Sequence, residues 1–143
     1  MKNLNKLIEL VAYKHKLDTK RANPKYYTDM KWILGAIISE VEEVKEEMKP
    51  NNKAHLEDEL SDILWGWLTL VENLKNKGLV GSHKDIFSRG LKKYEERILP
   101  LKGTSEDHAI WKEVKAKQKE ALEEERITRL KEDKDATNTL RVG

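Results

Sequence analysis

The sequence of 143 residues carries 28 basic and 26 acidic side chains, a net charge of +2 and 38% apolar residues. It is long enough for one hydrophobic core, and too evenly charged to call for a nucleic acid or a membrane surface as partner. The absence of cysteine excludes disulfides, thiolate metal sites and a thiol nucleophile.

The N-terminal "MKNLNKLIELVAYKHK" is amphipathic and broken by charge, so it reads as neither a signal peptide nor a spanning helix. A soluble cytoplasmic protein is expected. Leu4, Leu7, Ile8, Val11 and Ala12 recur at the i, i+3, i+4, i+7 spacing of a first helix, which ends before "TKRANPK". Pro24 marks the break, because the residue before a proline is pushed out of the helical region. Met30, Ile33, Leu34, Ile37, Val41, Val44 and Met48 mark a second helix, stopping at "KPNN". Leu56, Leu60, Ile63, Leu64, Trp67, Val71 and Leu74 mark a third, stopping at "NKGLVGS". Ser82 with Asp85 forms a capping-box signal opening a fourth helix that runs to Pro100, and Thr104 with Asp107 opens a fifth. No segment has strand period. The expected fold is all-α, a four-helix-bundle-like core with an additional C-terminal helix. Residues 1–104 form the helical domain, 105–132 a charged helix or arm, and 133–143 a polar, disordered tail.

"ISEVEEVKEE" and "LEDELSDILW" place nine carboxylates in two otherwise apolar segments. Helix geometry, at about 100° per residue, divides them. With Ile33 at zero, the apolar stripe of the second helix covers roughly 0° to 80°, and Glu40, Glu47 and Glu43 line one edge of it at roughly −20°, −40° and −80°. Glu42 and Glu46, near 180° and 220°, face water. With Leu56 at zero, Glu59 and Asp62 border the stripe of the third helix at roughly −60° and −120°, while Asp58 points away. The short connection makes these helices antiparallel neighbours. Either the pairs Glu40/Glu43 and Glu59/Asp62 are solvated flanks, or they meet and require a divalent cation such as Mg²⁺ or Mn²⁺, the ions that suit all-oxygen ligation. Di-iron chemistry is not indicated, because no His15, His55, His83 or His108 follows a Glu by three residues, and the histidines read as surface or boundary residues.

"KWILGAIISEVEEVKEE" followed by "LEDELSDILW" resembles the MazG-like, all-α nucleotide pyrophosphohydrolases, whose signature is Glu-x-x-Glu, a spacer, then Glu-x-x-Asp. Here it reads Glu40-Val-Glu-Glu43, fifteen residues, then Glu59-Leu-Ser-Asp62, and "KKYEERI" resembles the family's Lys-aromatic-x-x-Arg segment. The resemblance covers roughly residues 31–97. It implies Mg²⁺-dependent hydrolysis of a nucleoside triphosphate between the α and β phosphates. Glu40, Glu43, Glu59 and Asp62 would be the metal and catalytic carboxylates, Lys93 and Arg97 would bind phosphates, and Trp32 would be a candidate for the base, with Tyr26, Tyr27 and Trp67 also available. Many relatives carry a further acid before the first motif, proposed as the base that activates water; Ser39 stands there. Relatives form dimers or dimers of dimers, so a homodimer or homotetramer is expected. Trp65, opposite the core stripe of its helix, faces either that interface or a second buried face. Two other readings stay open: a non-catalytic helical interaction module, and a nucleotide-binding relative that has lost turnover.

Overall fold

The computed structural model describes residues 1–142, the side chains of Tyr26, Arg141 and Val142 left aside. Six helices follow one another: α1 (Lys2–Thr19), α2 (Pro24–Thr28), α3 (Met30–Glu47), α4 (Lys53–Asn76), α5 (His83–Ile98) and α6 (Asp107–Val142). No strand occurs among the described residues, so the fold is all-α. The chain packs as two compact units, Met1–Ile86 and Phe87–Gly143, with the first turn of α5 in the first unit and the remainder in the second.

In the first unit α1 buries Val11 at the centre of its apolar stripe, and α1 and α3 both pack on α4. The buried Asp18 near its end is held by Lys14 at 2.6 Å and Arg21 at 2.9 Å. Burial alone would raise the Asp18 carboxyl, but these two cations outweigh it and hold it below its ordinary value. The segment "TKRANPK" contains the start of α2, which the sequence pattern does not reveal. Pro24 occupies its first position, where the missing N–H has no helical partner to lose. Asp29 then caps α3 by accepting the Lys31 N–H at 2.8 Å.

Between α3 and α4 the chain turns on Asn51, whose φ is 57°. The Asn52 amide donates to the Glu47 carbonyl at 2.9 Å and to the Glu47 carboxylate at 2.5 Å. The two helices pair antiparallel and very closely. A Cβ on Gly66 of α4 would lie 2.9 Å from Cγ1 of Ile37 on α3, so only glycine permits this separation.

The core of this unit is small and partly polar. Ile33, Leu68 and Val71 join Val11 as its buried apolar residues, beside the buried Glu72, Asn73 and His83. His83 is therefore a core residue and not the surface or boundary position its sequence context indicates. One ring nitrogen lies 3.0 Å from the Leu68 carbonyl, the other 4.0 Å from the Glu72 carboxylate, and Trp67 meets the ring edge-on with centroids 6.2 Å apart. These contacts satisfy an imidazole that would otherwise be costly to bury. The capping box forms: the Ser82 N–H donates to Asp85 at 2.8 Å and the Asp85 N–H to the Ser82 hydroxyl at 3.1 Å.

In the second unit, the rest of α5 meets α6 through polar contacts. Arg97 donates to Gln118 at 2.7 Å, Gln118 donates to the Lys93 carbonyl at 3.0 Å, and Arg89 pairs with Glu125 at 3.0 Å. At the start of α6, Asp107 accepts the Lys102 and Gly103 N–H groups at 2.8 and 2.9 Å, while Thr104 accepts the Glu106 N–H at 3.4 Å. The helix continues through residues 133–142, the stretch whose polarity predicts a disordered tail. Thr137 and Thr139 donate their hydroxyls to the carbonyls of Asp133 and Asp135, the i−4 back-bonds open to a threonine inside a helix.

Candidate metal centre

Three local features bring the four acids together: the Asn51–Asn52 turn, which sets the antiparallel register; the Gly66–Ile37 approach; and the i, i+3 spacing on each helix. One carboxylate oxygen from each of Glu40, Glu43, Glu59 and Asp62 lies within 4.8 Å of the others. Glu40 and Glu59 are half-buried and Glu43 is exposed. The inner oxygens, Oε2 of Glu40 and Oε2 of Glu59, are buried without a hydrogen-bond partner.

Like charges this close resist ionisation. The Glu40 carboxyl is pushed up to about 7, first by its contact with Glu43, then by burial and by the charges of Glu43, Asp62 and Glu59. Burial, followed by the contact with Glu43, raises Glu59 as well. Two unpartnered inner oxygens and a depressed tendency to ionise are the properties of an oxygen donor set that a divalent cation would satisfy. The residues fit such an ion: all donors are carboxylate oxygens, and one side of the cluster opens to solvent.

The other acids of the two segments do different work. Glu47, on the same edge of α3, is taken up by Asn52. Glu42 is exposed and pairs with Lys45 at 3.0 Å, and Glu46 and Asp58 are exposed.

Trp32, in the first turn of α3, is 58% exposed, and Tyr27 lies under Arg21 at 5.0 Å. Tyr26 falls outside the described side chains. Lys93 and Arg97 belong to the second unit, where both stack near Tyr94 and Arg97 also lies 5.3 Å from the Trp111 ring. Ser39 is exposed and Trp65 half-buried.

Polar atoms that the sequence reading passed over also appear in this unit. Thr69 Oγ1 and Asn73 Oδ1 on α4, and His15 Nδ1 on α1, are buried without partners. The wheel of α4 carried the signal, since Thr69 and Asn73 fall at roughly −140° and −100°, the edge that holds Asp62.

In this all-α protein four carboxylates converge between two antiparallel helices as a donor set that could hold a divalent cation. The comparisons narrow this further. Residues 29–98 match the model of the MazG nucleotide pyrophosphohydrolase domain, a span that contains all four acids, Lys93 and Arg97. The chain thus carries a domain of the MazG nucleotide pyrophosphohydrolase family. No curated protein and no solved structure matches the chain. No helix among the described residues is long and apolar enough to cross a membrane.

Proposed function

We propose that the protein hydrolyses a (deoxy)nucleoside triphosphate to the monophosphate and pyrophosphate, with Mg²⁺ as its cation and Mn²⁺ as a substitute. The observation that carries this reading is the four-carboxylate cluster inside a MazG-family domain. Glu40, Glu43, Glu59 and Asp62 would hold the cation. Such an ion supplies positive charge against the triphosphate and acidifies water in its coordination shell. The carboxylates stand on the packed helices α3 and α4, which would hold them preorganised for charge that develops on the phosphates. Water adds to the α phosphorus, the bond to the bridging oxygen breaks, and pyrophosphate leaves. Below pH about 7 Glu40 carries a proton, which a bound cation would displace.

The protein works as a soluble cytoplasmic homodimer or homotetramer in this reading. Leu34, Ile38 and Val41 of α3 and Leu60 and Leu64 of α4 are exposed at helical spacing, with Ile38 at 65%. Contiguous apolar faces of this kind are rarely left to water. Incubation with each nucleoside triphosphate and Mg²⁺, assayed for pyrophosphate, tests the activity. Release from at least one nucleotide is expected, and none with either ion would remove the reading.

A further inference from the structure

Among the described residues of the first unit, six buried side-chain oxygens and nitrogens lack hydrogen-bond partners, and they fall into groups. Two belong to Glu40 and Glu59 in the acidic cluster. Oε2 of Glu72 has Lys75 at 3.7 Å and the His83 ring at 4.0 Å. Three remain: Thr69 Oγ1, Asn73 Oδ1 and His15 Nδ1. A native fold rarely leaves such atoms unmet, because burial removes the water that would otherwise serve them.

Their positions are connected. Glu59, Asp62, Gly66, Thr69 and Asn73 descend one edge of α4 at i, i+3, i+4 steps, so Thr69 lies about 10 Å along the axis from Asp62 and Asn73 about 16 Å. The Asn73 amide donates to the Thr69 carbonyl at 2.9 Å, which folds it back toward the acidic end and leaves its oxygen as a bare acceptor. Asn73 itself is only 3% exposed. His15 lies between the buried Val11 and Asp18 on one face of α1, the helix that packs against α4.

We infer that Asn73, Thr69 and His15 form the base-reading end of the site whose phosphate end is the acidic cluster, and that they accept the N–H-bearing edge of a nucleobase. The inference rests on the pyrophosphohydrolase reading and adds what selects the substrate. One nucleoside spans the interval between a phosphate held at Asp62 and an edge presented at Thr69. Asn73 Oδ1 can only accept, so the base must offer an amino or imide N–H there. A base with no N–H on that edge, such as a 2-pyrimidinone, leaves the acceptor buried and unmet, and this penalty selects against it.

The test uses binding, which does not require turnover. Non-hydrolysable α,β-methylene triphosphates of cytosine, uracil, adenine and guanine are titrated into wild type, Asn73→Leu and Thr69→Val with Mg²⁺. Inorganic triphosphate and a 2-pyrimidinone analogue lacking the exocyclic N–H complete the set. Wild type is expected to rank the bases and to bind its preferred base roughly tenfold or more tightly than that base in either variant. The variants should level the ranking while binding inorganic triphosphate unchanged. A variant that keeps the wild-type ranking at weaker overall affinity would assign Asn73 to stability alone and overturn the inference. Wild type that binds all bases and the pyrimidinone equally overturns it without any variant, should the variants not fold. Ranked binding without pyrophosphate release would sink the catalytic reading and leave this one standing; turnover without base ranking does the reverse. Absence of nucleotide binding overturns both.

Discussion

Cγ1 of Ile37 lies 2.9 Å from the point where a side chain on Gly66 would begin. That distance decides how closely α3 and α4 approach, and hence whether four carboxylates on their edges can share one ion. Gly66→Ala gains up to about 1 kcal/mol of helix propensity, but the overlap costs roughly 1–3 kcal/mol. The net expectation is a destabilisation of about 1 kcal/mol with weaker Mg²⁺ binding. Ile37→Ala in the same chain should recover most of the Mg²⁺ affinity. A double-mutant cycle read by denaturant melts and Mg²⁺ titration measures the coupling; strictly additive effects would refute the contact.

The acids of the two segments should separate by face. Glu59→Gln is expected to abolish pyrophosphate release and the rise in thermal stability with millimolar Mg²⁺, because a cation that binds only the folded state stabilises it. Glu42→Gln, whose parent residue is exposed and paired with Lys45, should change neither. Equal effects of the two substitutions would sink the assignment.

Without divalent cations the protein should lose stability as pH rises from about 5 to 8. Glu40 titrates near 7 in the folded chain against an ordinary 4.5, and Glu59 is shifted in the same direction. The folded state therefore binds more protons than the unfolded one, and stability falls with pH across that window. Millimolar Mg²⁺ should remove the decline. Asp18 acts oppositely: its carboxyl is held low, so its contribution is lost only as pH falls toward and below its ordinary value of 3.8. Chemical melts at intervals of pH, with EDTA and with Mg²⁺, check both limbs. A flat EDTA profile above pH 5 would contradict the Glu40 shift.

His83→Ala should destabilise the first unit by about 2–4 kcal/mol, since it opens a cavity and leaves the Leu68 carbonyl unmet. Mg²⁺ affinity of the folded fraction should be little changed, because His83 is engaged by Leu68, Glu72 and Trp67. Thermal melts at saturating and zero Mg²⁺ distinguish the two quantities.

The acidic cluster was legible in the amino-acid pattern. The wheel positions of Glu40, Glu43, Glu59 and Asp62 follow from helical period alone, and the structure brings one oxygen of each within 4.8 Å of the rest. Glu47 shared their edge, and nothing in the pattern distinguished it; its capture by Asn52 depends on where the turn begins. Helix α2 escaped because one turn is too short to show a period. His83 escaped because the burial of a lone polar residue depends on what packs over it.

Order and spacing along the chain thus determined the helices, their antiparallel hairpin and which acids share a face, because these are local consequences of a 3.6-residue period and a short turn. Only tertiary packing decided how near the two acidic edges come. That is set by a missing side chain at Gly66 meeting Ile37, a contact between residues 29 positions apart. Packing also decided which polar atoms lose their water without gaining a partner, because burial belongs to the assembled helices and not to any one of them.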